Sequence, residues 1–161
     1  MSGLLSRLFA RGEPALTEAS PRDAAAIATL HGASFRRGWG EDEVERMLLD
    51  RNTLAHRATI GRALHGFIIA RIISGEAEIL SVAVVNARRG RGLARAMLDL
   101  HLRRLAGLGV RTVFLEVDED NAPARRLYRR AGFGEVGRRA GYYPQGSGAA
   151  TAALVLRRDL V

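Results

Sequence analysis

One α/β domain on a mixed central sheet, with helices on both faces, is the fold this sequence predicts. Three observations predict it. The apolar, β-branched runs at residues 77–85 and 111–117 read as buried strands. Between them, residues 93–108 carry Leu93, Met97, Leu98, Leu100, Leu102 and Leu105 on the apolar side of an amphipathic helix. The element order is strands, then strand–helix–strand–helix, then strands, with no internal repeat and no long linker.

The elements follow in order. Residues 1–12 read as a short N-terminal appendage with Leu4, Leu5, Leu8 and Phe9 at helical spacing, and residues 13–161 as the domain. The appendage is too short for a secretory leader and shows no cleavage site. It reads as a frayed or packed terminus, or as a small amphipathic docking helix. Residues 15–19 suit a first strand. Ser20 is a helix N-cap with Pro21 at the first helical position, and Ala25, Ile27, Ala28 and Leu30 give that helix its apolar side. Gly38-Trp39-Gly40 breaks the chain. Glu41-Asp42-Glu43 opens a second helix with acids at the positive end of its dipole, closing near Asp50.

Residues 53–59 and 64–73 form a hairpin around Gly61, and Gly75 makes the next turn. The central strand 77–85 leads through a polar loop, 86–92, into the long helix, which Gly107 and Gly109 end. After strand 111–117, Asp118 to Asn121 turn the chain into a short helix from Ala122-Pro123 to Ala131, stopped by Gly132. Residues 133–137 and 150–156 are the last strands.

Composition narrows the chemistry. The 161 residues are enough for one core. There is no cysteine, which excludes disulfides, thiolate zinc sites and a cysteine nucleophile. His31, His56, His65 and His101 lack ligand spacing, so no metal is expected. No run approaches the roughly 20 apolar residues of a membrane span, and a cytoplasmic protein is expected. The net charge is +8 and every basic residue is arginine. That excess reflects either genome composition or an anionic ligand, such as a phosphorylated cofactor or a ribonucleoprotein. Few aromatics accompany the arginines, which disfavours a dedicated DNA or RNA reader.

The loop Arg89-Gly90-Arg91-Gly92-Leu93-Ala94 lies between a strand and a helix. Such a site binds anions, because the first helical turn leaves N–H groups unpaired and the dipole puts positive charge there. Glycine brings the backbone close to a phosphate. The Rossmann pattern fails, since Arg95 stands where a third glycine belongs, and the Walker pattern fails for want of lysine. A simple glycine-softened turn remains the competing reading.

Two residues downstream have proton chemistry. Glu116 interrupts an apolar strand, Val113-Phe114-Leu115-Glu116-Val117. A charge there needs a reason: a strand-end Glu reaching solvent or an arginine, or a general base with its pKa raised by an apolar setting. Tyr128, two turns into the short helix, is either a packed aromatic or a proton donor to a leaving thiolate.

Together these features resemble the GCN5-related N-acetyltransferase (GNAT) superfamily. Its cofactor-loop pattern is Gln or Arg, two residues, Gly, one residue, then Gly or Ala; Arg89, Gly92 and Ala94 match it. The chain is similar to the RimI group of ribosomal-protein alanine N-acetyltransferases through Leu115-Glu116-Val117, Asn121 to Ala124, Leu127-Tyr128, Ala131-Gly132-Phe133 and Gly141-Tyr142-Tyr143-Pro144. The resemblance runs from about Leu16 to Leu160.

The resemblance implies a GNAT-type sheet with a splayed central strand. Val82-Ala83-Val84 would pair with the pantetheine of acetyl-CoA, and Arg89, Gly90, Arg91, Gly92, Leu93 and Ala94 would hold its pyrophosphate. Asn121 and Tyr128 would contact the cofactor, with no metal. Glu116 matches the family's proposed general base and Tyr128 its proposed general acid. Trp39, Tyr142 and Tyr143 would border the acceptor, a protein N-terminus of ribosomal type. A free α-amine has a pKa of about 8, so Glu116 would take its proton before attack. Strand N–H groups would stabilise the oxyanion, and Tyr128 would protonate the thiolate, with no covalent enzyme intermediate. The segment Gln145 to Ala150 lacks acidic residues common in RimI-like enzymes, which leaves the acceptor open. The alternatives are a small amine, a lysine side chain, or a non-catalytic acetyl-CoA-binding module. No membrane partner and no specific DNA are expected.

Overall fold

The apolar runs become the middle of a seven-stranded sheet, ordered β1-β2-β3-β4-β5-β7-β6. The structure is a computed structural model that describes residues 13–144 and 150–160. The expected appendage lies outside the described residues.

Strand β1 (Ala15–Glu18) pairs antiparallel with β2 (Thr53–Ile60), β2 with β3 (Ala63–Ile73), and β3 with β4 (Glu76–Val84). Strand β5 (Thr112–Asp118) runs parallel to β4 and antiparallel to β7 (Ala150–Asp159), which also pairs with β6 (Gly134–Pro144). The last two strands are longer than their apolar runs suggest. Their pairing continues through Arg138, Arg139, Arg157 and Arg158, charged residues that a hydrophobic pattern does not count as strand.

Helices cover both faces. Ser20 and Pro21 open a 3-10 turn (Pro21–Asp23) that passes into α1 (Ala24–Ser34); the Ser20 N–H donates to the Asp23 carboxylate at 2.8 Å. Helix α2 (Glu41–Leu49) lies beside α1, and Ile27, Leu30 and Val44 pack with Ala55, Phe67, Ile69 and Ala83 on one face. On the other face, α3 (Leu93–Gly107) and α4 (Ala122–Arg130) set Leu93, Met97, Leu98, Leu105 and Tyr128 against Leu54, Ile68, Ile79, Val113, Leu115 and Leu156. No helix among the described residues is long and apolar enough to cross a membrane.

One irregularity positions the site. In the β3–β4 ladder, Ile69 pairs with Ser81 and Ala70 with Ile79, so Leu80 is an extra residue. A bulge reverses side-chain alternation and bends the strand. Before it, Ala77 and Ile79 face α3; after it, Val82 and Val84 do, while Leu80 and Ala83 turn to α1. The parallel pairing of β4 with β5 ends at Ile79 and Leu115, immediately before the bulge. Beyond that point the two strands part, which is the splayed strand the resemblance implies.

Candidate active site

The gap between the parted strands opens into a cleft of about 600 Å³. Val82, Ala83 and Val84 line it from β4, and Asn121, Ala124, Leu127 and Tyr128 from α4. Arg89, Gly90, Gly92, Leu93 and Ala94 close its end. The structure thus brings ten of the eleven expected cofactor residues together. Arg91, in the same loop, does not line the cleft.

The loop is an open anion cradle. Gly90 and Gly92 have φ of 73° and 82°, where a side chain would be strained. Gly92 is the N-cap of α3, and the first helical bond runs from the Ala96 N–H to the Gly92 carbonyl. The N–H groups of Leu93, Ala94 and Arg95 therefore have no acceptor within the helix. Arg89 is folded back, its Nε donating to the Val84 carbonyl at 3.1 Å, and so ties the loop to the end of β4.

Arginines surround this cradle. Arg88, Arg89 and Arg95 line one side, and Arg126 and Arg130, one helical turn apart, the other. Among the described residues no Asp or Glu lines the cleft. The i, i+4 spacing of Arg126 and Arg130 was readable in the sequence, but their facing the loop 35 residues upstream was not. Ser34 and Phe35, at the end of α1, also line the cleft and carried no sequence signal.

Tyr128 is 7% exposed, with its ring edge-on to Phe133 at 5.8 Å between centroids. Burial pushes its phenol up to about 12, so it keeps its proton throughout the neutral range. Asn121 caps α4, its Oδ1 accepting from the Ala124 N–H at 3.2 Å.

Glu116 is the first residue of β5 beyond the last β4 pair. Strand alternation sends Leu115 and Val117 to the α3 side with Tyr128, and Glu116 to the opposite face. That face of β5 is half-exposed, since α1 and α2 pack over β2, β3 and β4. Of the two settings the sequence allows for Glu116, the apolar one is corrected and the one reaching solvent and an arginine is found. Its carboxylate stays partly in solvent and pairs with Arg139 Nη1 at 3.2 Å.

Trp39 stands on the loop between α1 and α2. Its ring stacks on His31 at 4.0 Å, and its backbone N–H donates to His31 Nδ1 at 3.0 Å. Burial lowers the His31 pKa, opposed in part by Glu43, and favours the neutral ring that this bond requires. Trp39 does not line this cleft. Tyr142 and Tyr143 belong to β6, but their side chains lie outside the described part of the structure. Among the described residues no three His, Asp or Glu side chains gather as metal ligands.

A splayed mixed sheet with a cationic loop at the N-terminus of α3 agrees with the family evidence. The model of the acetyltransferase (GNAT) family matches residues 24–133, and the chain belongs to that family. It is 37% identical over 91 residues to the [ribosomal protein bS18]-alanine N-acetyltransferase of Haemophilus influenzae, a match covering 56% of this chain and 62% of that protein. The Escherichia coli counterpart is 36% identical over 89 residues, covering 55% and 60%. The chain thus spans about three fifths of the length of these relatives. The crystal structure of the Escherichia coli ribosomal-protein-S18-alanine N-acetyltransferase superposes with a TM-score of 0.85 at 26% identity, covering 91% of this chain and 94% of that one. A mycothiol acetyltransferase of Clavibacter michiganensis is 38% identical over 97 residues, covering 60% of this chain and 32% of that protein.

Proposed function

We propose that this chain moves the acetyl group of acetyl-CoA directly onto a free protein N-terminal α-amine, with a ribosomal-protein N-terminus as the acceptor. The observation that carries it is the placement of Glu116 and Tyr128. They lie on opposite faces of the sheet, beside the gap where β4 and β5 part. The cleft fits the cofactor: its cradle of positive-φ glycines and free helical N–H groups, ringed by arginines without a carboxylate, suits a polyanion. Acetyl-CoA supplies the acetyl group activated as a thioester. The loop Arg89 to Ala94, Arg126 and Arg130 would hold its phosphates, and Val82 and Ala83 offer backbone groups along the gap. Glu116 takes a proton from the amine on the acceptor face, and Tyr128 gives its phenolic proton to the departing sulfur on the cofactor face. The bS18-alanine relatives support the ribosomal acceptor, and such an acceptor would be met in the cytoplasm.

The test offers acetyl-CoA with three acceptors: peptides bearing free N-termini, the same peptides blocked, and small amines. CoA thiol is expected only with free N-termini, and Glu116→Gln is expected to lower kcat by about 10²-fold. An undiminished Glu116→Gln enzyme removes the base assignment. Turnover restricted to small amino compounds supports the second reading, which the mycothiol relative favours. Binding of acetyl-CoA without turnover of any amine supports a binding module.

A further inference from the structure

Two neighbouring arginines on β6 pair with two acids, and the pairs are built differently. Arg138 reaches Glu119 at 2.7 Å. Glu119 is also locked to β7: its N–H donates to the Ala152 carbonyl at 2.9 Å, and its Oε1 accepts from the Ala152 N–H at 3.2 Å. That pair closes the sheet. Arg139 projects to the other face and reaches diagonally across β7 to Glu116 at 3.2 Å. Among the described residues Arg139 is the partner of the Glu116 carboxylate, which makes no backbone bond. The Arg139 side chain is 59% exposed. It is also the last β6 residue in register before pairing with β7 lapses until Tyr143, across a stretch containing Gly141 at φ 69°. The side chain is thus long, largely exposed and set beside an unpaired stretch of strand.

We propose that Arg139 is a positioning residue of the acceptor site: its guanidinium aims the Glu116 carboxylate in the free enzyme, stands where the acceptor's amine must arrive, and is displaced by that amine. This rests on Glu116 being the base. The other cation on this face does not replace Arg139: Arg157 pairs with Asp159 and lies over the Phe114 ring at the far end of β5. Asp118 shares the face, in register with Arg139 across β7. A partly exposed ion pair is weak, which suits a contact that every turnover must break.

The experiment measures acceptor KM and kcat for the full chain and for Arg139→Ala, Arg139→Lys, Glu116→Gln and the Arg139→Ala/Glu116→Gln double variant. In Arg139→Ala the acceptor KM is expected to fall about two- to fivefold, the range set by an exposed pair, with kcat unchanged. Arg139→Lys restores the KM, and in the Glu116→Gln background Arg139→Ala leaves it unchanged. A purely structural Arg139 would instead lower kcat equally in both backgrounds without lowering KM, which overturns the proposal. An unimpaired Glu116→Gln enzyme overturns the base reading itself, and is separately visible.

Discussion

On the α3 side of the gap between β4 and β5, the anion cradle is made of backbone: two positive-φ glycines, three free N–H groups and a strand end pinned by Arg89. On the opposite side, Glu116 is held by one exposed side-chain pair to Arg139. The cofactor side is preorganised and changes only if the fold changes. The acceptor side depends on side chains that single substitutions alter without disturbing the sheet. One fold can thus keep its acyl donor and vary its amine.

The largest expected effect tests the boundary between the sides. Tyr128→Phe keeps the edge-on contact with Phe133 but removes the hydroxyl, so kcat is expected to drop by about 10²-fold while the acetyl-CoA Kd stays within twofold. Steady-state thiol release and calorimetric titration check it. An equal rise in Kd would make Tyr128 a binding residue only.

The rigidity of the cofactor side has a pH signature. His56 on β2 and His101 on α3 meet Nδ1 to Nδ1 at 2.8 Å, and His101 Nε2 has no hydrogen-bond partner among the described residues. Burial, then the neighbouring His56, lowers the His101 pKa to about 3; burial also lowers that of His56, against Glu18 and with Arg104. The folded His101 is neutral and the unfolded one ordinary, so the unfolded chain binds more protons below pH about 6.5. Its stability contribution is complete above that pH and is lost as pH falls toward 3, by up to ~1.4 kcal/mol per unit, and His56 acts in the same direction. Urea midpoints between pH 7 and 4.5 should show this slope, and His101→Leu should flatten it. An equally steep slope in the variant would assign the acid loss elsewhere.

A smaller effect is expected from Gly92→Ala. Nothing within 4 Å obstructs a Cβ there, so the cost is conformational, about 1–2 kcal/mol for a residue forced to φ 82°. Urea unfolding should register that loss, whereas Gly40→Ala, also unobstructed but at φ −72°, should lose only a few tenths. Matching losses would mean the loop relaxes out of its left-handed turn.

The smallest effect separates the sides by salt. With five arginines and no acid lining the cleft, the acetyl-CoA Kd should rise about threefold or more from 0.05 to 0.5 M salt through screening. The KM of a short peptide whose one charge is its free α-amine should move less. A salt-independent Kd would show that backbone N–H groups, and not the arginines, carry the affinity.

Much of this architecture is local, and local features are legible in a sequence. Leu93 to Leu105 repeat at the helical period, Pro21 and Pro123 begin helical turns, and Gly75 and Gly109 take positive φ at turns. The loop from Arg89 to Ala94 was readable for the same reason: strand, glycines and helix are contiguous. Glu116 was noticed as a charge in an apolar run, yet its partner was not, because Arg139 arrives from β6 across β7. The His56–His101 contact joins residues 45 apart and has no spacing to betray it. Leu80 as the bulged residue was equally invisible, since alternation assumes an unbroken ladder.

The sequence by itself determined the elements, their order and the chemical types at the site, because helix and strand periods and turn residues act over a few positions. Tertiary structure alone decided where β4 leaves β5, which face Val82 and Val84 present, and that Glu116 and Tyr128 stand on opposite sides of one gap. Those follow from strand register, and register is fixed only when distant strands pack together.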